Sequence, residues 1–172
     1  DGPGNESALV FYPGAQIEYT SYLPLLMNLS NDGVDCFLLE MPLNVAVFDT
    51  DAAGSIIEND NYACDKWYVS GHSLGGWAGA TYIHDHPDKV NGLILLAAYS
   101  DKDLGNTPVL SIYGSHDKNL NKVTYDESKG FIDDNLTEID GLETWDVSHV
   151  KKMHQMFQNC TKLKRIDLST WD

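Results

Sequence analysis

Apolar runs and amphipathic stretches alternate along the first two thirds of the chain. Ala8-Leu9-Val10-Phe11-Tyr12 is apolar at every position and stops at Pro13-Gly14, the mark of a strand buried on both faces. From Tyr19 to Leu29 the residues Tyr22, Leu25, Leu26 and Leu29 recur at spacings of three and four. They share one face of a helix that Asn31-Asp32-Gly33 ends. Val34 to Met41 reads as the next strand, Ala52 to Glu58 as a short helix, and Lys66 to Ser70 as a third strand. Trp77 to His84 follows as a helix, broken at Pro87-Asp88. The apolar runs Val90 to Ala98 and Val109 to Tyr113 supply two more strands. Strands apolar on both faces and separated by helices predict an α/β fold: a three-layer core around a mainly parallel sheet of about five strands. Ligands are expected at the carboxyl ends of those strands.

The chemistry concentrates where the third strand meets the following helix, at Gly71-His72-Ser73-Leu74-Gly75-Gly76. A serine hydroxyl becomes a useful nucleophile only when it is exposed and a base takes its proton. A sharp strand-to-helix turn supplies the exposure, and small residues on both sides let the backbone fold that tightly. The same turn aims the Leu74 amide, at a helix N-terminus, toward a developing oxyanion. A base also needs an acid that fixes its tautomer, and Asp117 stands after the last apolar run in Tyr113-Gly114-Ser115-His116-Asp117. Pro13-Gly14-Ala15-Gln16 directly follows the first strand, where a second oxyanion donor is expected. Gly14 permits the turn and the Ala15 amide is the donor.

These motifs, with the phrases FYPGAQIEYTSYLPLL, MPLNVAVFD, GHSLGGWAGATYIHDHPDKVNGLILLAAY and PVLSIYGSHD, resemble the α/β-hydrolase superfamily, in particular a compact bacterial group, over about residues 8–125. The resemblance implies Ser73 as nucleophile, Asp117 as acid, and Ala15 with Leu74 as oxyanion donors. It also implies a catalytic histidine on a loop after one more strand.

No histidine stands at that place. His72 adjoins the nucleophile but is directed elsewhere by the elbow, which makes it structural. His84 and His86 lie roughly 16 to 20 Å along the helix and read as helix C-terminal residues favoured by the dipole. His116, adjacent to Asp117, and His149 and His154 further on are the candidate replacement bases. The last two follow Asp117 in the Ser, Asp, His order of these hydrolases, but both fall between the positions of an apolar stripe, where solvated residues are ordinary.

From about Leu136 the pattern changes. Leu142-x-Thr144-Trp145-Asp146 recurs as Leu168-x-Thr170-Trp171-Asp172, with Val147, Val150, Met153, Met156, Phe157, Cys160 and Leu163 as an apolar stripe between. This tail is similar to the BspA-type leucine-rich repeats of bacterial surface proteins, whose units stack to bury their apolar faces. The expected organisation is therefore a hydrolase-like domain at 1–130, lacking its last strand and histidine loop, and a leucine-rich-repeat appendage at 131–172.

Composition narrows the partners. With 172 residues, 42% of them hydrophobic, the chain can bury a real core. A formal charge of −15 argues against nucleic acid and anionic membrane surfaces. No apolar run reaches the roughly 18 residues of a transmembrane segment, and no leader pattern stands at the start. Cys36, Cys64 and Cys160 lack the spacing of a metal cluster, and Cys36 reads as a buried thiol. Two functions follow. One is a serine-dependent acyl hydrolase of the carboxylic ester type, with a small-molecule ester-like substrate, no cofactor and no metal. The other is a catalytically degenerate interaction module that binds a protein partner through the repeat. The repeat points to a bacterial cell surface, with the cytoplasm as the alternative.

Overall fold

The first strand, β1 (Ser7–Tyr12), is the centre around which the rest is laid. The computed structural model of the chain describes residues 6–62, 64–113, 120, 121, 123 and 124. After β1 come a 3-10 turn at Tyr19–Tyr22, helix α1 (Leu23–Asn31) and strand β2 (Asp35–Leu38). Two short 3-10 turns lead to helix α2 (Gly54–Ile57), strand β3 (Lys66–His72) and helix α3 (Leu74–Asp85). Among the described residues, strands β4 (Gly92–Leu96) and β5 (Val109–Ile112) bring the sheet to five strands in the order β2-β1-β3-β4-β5. Every neighbouring pair is parallel.

The continuous apolar runs follow from the two faces they must fill. Ala8, Val10 and Tyr12 of β1 pack on one side with Val69, Leu93 and Leu95, under Ala78, Ala80, Tyr82 and Ile83 of α3 and Ile56 and Ile57 of α2. Leu9 and Phe11 point to the other side, with Ile94 and Leu110, and meet Tyr22, Leu25, Leu26 and Leu29 from the α1 region. Those are the residues whose spacing predicts a helical face. The three layers are thus α1, the sheet, and α2 with α3.

The strand order places a topological switch point between β1 and β3. Chain leaving β1 goes to one side of the sheet and chain leaving β3 to the other, which opens a crevice at their carboxyl ends. Tyr12 and Gly71 are register partners at that end. Pro13-Gly14-Ala15 and His72-Ser73-Leu74 are therefore neighbours because of the topology. Cys36 on β2 is half-buried rather than fully buried, and burial pushes its thiol up to about 11. Among the described residues no helix is long and apolar enough to cross a membrane. The segment expected to form a leucine-rich repeat, 131–172, lies outside the described residues.

Candidate functional site

Ser73 is the single residue between β3 and α3, and its backbone carries the turn with φ 53° and ψ −123°. A non-glycine residue there costs about 1–3 kcal/mol and persists only where its surroundings fix it. Those surroundings are visible. The Ser73 N–H donates to Leu96 C=O at 2.9 Å, and the Ser73 C=O accepts from Gly76 N–H at 3.0 Å and Trp77 N–H at 3.3 Å. The flanking glycines leave no room for side chains. A Cβ on Gly71 would stand 2.4 Å from the Gly75 carbonyl carbon and oxygen, and one on Gly75 would stand 2.3 Å from the Tyr12 and Pro13 carbonyl oxygens. The serine that results is exposed, at the mouth of the crevice.

Leu74 opens α3, so its N–H has no carbonyl a turn earlier to bond. Across the crevice, the chain after β1 makes a β-turn closed by Ile17 N–H to Gly14 C=O at 3.3 Å, with Gln16 at φ 59°. Nearly every amide of that turn is committed: Gly14 N–H donates to the Tyr22 hydroxyl at 3.0 Å and Gln16 N–H to Asn44 C=O at 2.8 Å. The exceptions matter. Among the described residues, neither Ala15 N–H nor Leu74 N–H makes a hydrogen bond. They are the two amides expected from sequence as oxyanion donors.

The described histidines are engaged elsewhere. The His72 ring meets the Tyr22 hydroxyl through Nδ1 at 2.8 Å. In the last turn of α3, His84 Nδ1 donates to Asp103 C=O at 2.7 Å, and at the helix end His86 Nε2 donates to Asp51 Oδ1 at 2.8 Å. Among the described residues no histidine hydrogen-bonds the Ser73 hydroxyl. Asp117, His116, His149 and His154 lie outside the described residues. Among the described residues no group of three or more His, Cys, Asp or Glu side chains is arranged to hold a metal ion. A cavity of about 390 Å³ lined by Asp51, Gly54, Ser55, Glu58, Asn59 and His86 opens at the other end of α3. A helix of this length puts it roughly 18 Å from the elbow.

Tyr22 is the residue that periodicity alone does not single out. It reads as one more apolar position on the α1 side, and its ring does pack on Phe11 with centroids 4.7 Å apart. Its hydroxyl, however, touches both loops of the crevice.

Residues 8–150 match the alpha/beta hydrolase family, and the chain belongs to it. The matched segment takes in Ser73, His116, Asp117 and His149 and stops short of His154. Similar solved structures include a predicted CIB-like hydrolase from Thermoplasma acidophilum, 16% identical with a TM-score of 0.59, the match covering 77% of this chain and 74% of that one. An alpha/beta hydrolase enzyme from the metagenome of lagoon sediments at Mar Chica, Morocco, is 13% identical with a TM-score of 0.61, covering 76% and 78%. A monoacylglycerol lipase of Paleococcus ferrophilus is 23% identical with a TM-score of 0.50, covering 62% of this chain and 44% of the lipase. At these identities the likeness is one of fold. No curated protein matches the chain.

Proposed function

We propose that this chain is a serine-dependent acyl hydrolase acting on a small ester-like substrate. The observation that carries the reading is the pairing of an exposed serine, held at a positive φ, with two backbone amides that bond nothing among the described residues. Ser73 Oγ attacks the ester carbonyl carbon while a histidine takes the hydroxyl proton. The carbonyl oxygen, now anionic, accepts from Ala15 N–H and Leu74 N–H, and the α3 N-terminus favours its charge. Collapse of that intermediate expels the alcohol, which receives the proton from the imidazolium. Water then attacks the acyl-serine by the same route and releases the acid.

Asp117 is the proposed acid that orients the base. The base comes from outside the described residues, because the three described histidines are bonded at other places. His149 is preferred over His116 and His154: it follows Asp117 in chain order and falls inside the segment that matches the family. In this reading 1–130 carries the nucleophile, acid and donors, and the base comes from the segment after it, which the family match follows as far as residue 150. A serine-reactive fluorophosphonate tests it. Labelling of the full chain that disappears on Ser73→Ala supports the reading, and equal labelling of both proteins removes it.

A further inference from the structure

Three peptide units meet around the Ala15 amide, and each is tied to a different partner. The unit before it is held by Gly14 N–H donating to the Tyr22 hydroxyl at 3.0 Å. The unit that contains it is held by its own carbonyl, Gly14 C=O, which accepts from Ile17 N–H at 3.3 Å. The unit after it is held by Gln16 N–H on Asn44 C=O at 2.8 Å. Two of these ties, to Ile17 and Asn44, do not involve an elbow residue. The Tyr22 tie does.

The same hydroxyl stands 2.8 Å from Nδ1 of His72, the residue immediately before Ser73. Having accepted from Gly14, the Tyr22 hydroxyl makes a second hydrogen bond, with Nδ1 of His72. Burial raises the Tyr22 pKa, which keeps the phenol protonated. The fit is close from every side: a Cβ on Gly14 would lie 2.6 Å from His72 Nδ1 and 3.0 Å from the Tyr22 hydroxyl oxygen. The Phe11 and His72 rings flank Tyr22, with centroids 4.7 and 5.9 Å away. One phenol thus spans the loop after β1 and the last residue of β3.

We propose that Tyr22 is a positioning residue that sets the gap between the two oxyanion donors, by bridging Gly14 N–H in the Ala15 loop to His72 in the Leu74 elbow. The inference rests on the acyl-hydrolase reading for its catalytic consequence, but the bridge is a property of the fold alone. Two donors stabilise one oxyanion only if both lie at hydrogen-bonding distance from it, and a misplacement of about 1 Å costs about 10²-fold in rate. The Tyr22 hydroxyl is committed to Gly14 and His72, so its effect is expected on kcat.

The test uses the full chain and its Tyr22→Phe, His72→Ala and doubly substituted forms, with p-nitrophenyl acetate as the ester. Tyr22→Phe lowers kcat by about 10- to 100-fold. KM changes by less than about twofold, because the hydroxyl removed is one already bonded within the protein. His72→Ala gives a loss of similar size, and the double variant loses no more than the worse single one, since both cut the same bridge. In parallel, amide resonances of Gly14, Ala15 and Leu74 in the isotopically labelled chain shift together in Tyr22→Phe. His72→Ala repeats both readouts if Tyr22→Phe does not fold. Unchanged kcat, additive losses, or Ala15 and Leu74 resonances that stay in place overturn the proposal. If the unsubstituted chain shows no Ser73-dependent turnover, the acyl-hydrolase reading fails, and the amide resonances alone decide the bridge.

Discussion

The Ser73 amide donates to the Leu96 carbonyl at 2.9 Å, so the turn after β3 is pinned to the end of the adjacent strand β4. That bond helps hold Ser73 at φ 53°, a conformation that stores strain. Function and stability should therefore separate at this position. Ser73→Gly keeps the amide and relieves the strain, so stability stays level or rises by up to about 1 kcal/mol in urea denaturation. Hydrolysis disappears in the same protein.

The neighbouring glycine has the opposite character. Gly75 lies against the end of β1, where a Cβ would meet two carbonyl oxygens at 2.3 Å. Backbone cannot step aside as a side chain can. Gly75→Ala is expected to cost about 3 kcal/mol or more. Gly54→Ala is the control: its Cβ would meet Tyr82 Cε2 at 3.6 Å, ordinary contact, and its φ is not positive. There the smaller entropy of the unfolded chain raises stability by about 0.5 kcal/mol. Chemical denaturation of the two variants separates these outcomes.

The base is identified by substitution. Removing the histidine of a serine triad costs up to about 10⁶ in kcat, whereas a solvated histidine costs almost nothing. His149→Ala is expected to lose at least about 10⁴-fold, with His116→Ala and His154→Ala within about twofold of the parent. Steady-state ester hydrolysis by the three variants gives the ranking. A full loss in His116→Ala or His154→Ala instead would move the base to that residue.

The Cys36 thiol carries a pH effect whose sign follows from burial. Its pKa is raised from 9.0 to about 11, because the thiolate is disfavoured inside the sheet edge and Asp35 adds to the cost. Below pH 9 both folded and unfolded chains hold the proton and nothing is lost. Between pH 9 and 11 the unfolded chain releases it first, so stability falls as pH rises. Cys36→Ala should remove that part of the decline in urea midpoints measured from pH 8 to 10. An unchanged decline would assign it to Cys64, whose thiol burial also raises, or to the buried tyrosines.

Most of the sheet is legible because strands buried on both faces leave unbroken apolar runs. The boundaries are less so, since apolarity reports burial rather than strand pairing. Val34 to Met41 reads as one strand, yet only Asp35–Leu38 pairs with β1, while Leu39 and Met41 are buried by packing against the core. Val90 to Ala98 likewise shortens to Gly92–Leu96, and Ala97 turns away at φ 47°. The first turn of α3 is hidden behind Gly75 and Gly76, poor helix formers that the elbow requires. The stretch from Tyr19 begins as a 3-10 turn because Pro24 fits only the first turn of α1. Ser73, Ala15 and Leu74 can be read locally, each from its own turn. The Tyr22 bridge cannot, because it joins three segments that only the fold brings together.

The proposed reaction stands or falls with acyl transfer at Ser73. Turnover of p-nitrophenyl acetate by the full chain, with Ser73→Ala measured beside it at equal concentration, tests that most directly. Hydrolysis is expected to fall by at least about 10⁴-fold in Ser73→Ala while the fold is retained. Equal rates in the two proteins would contradict it.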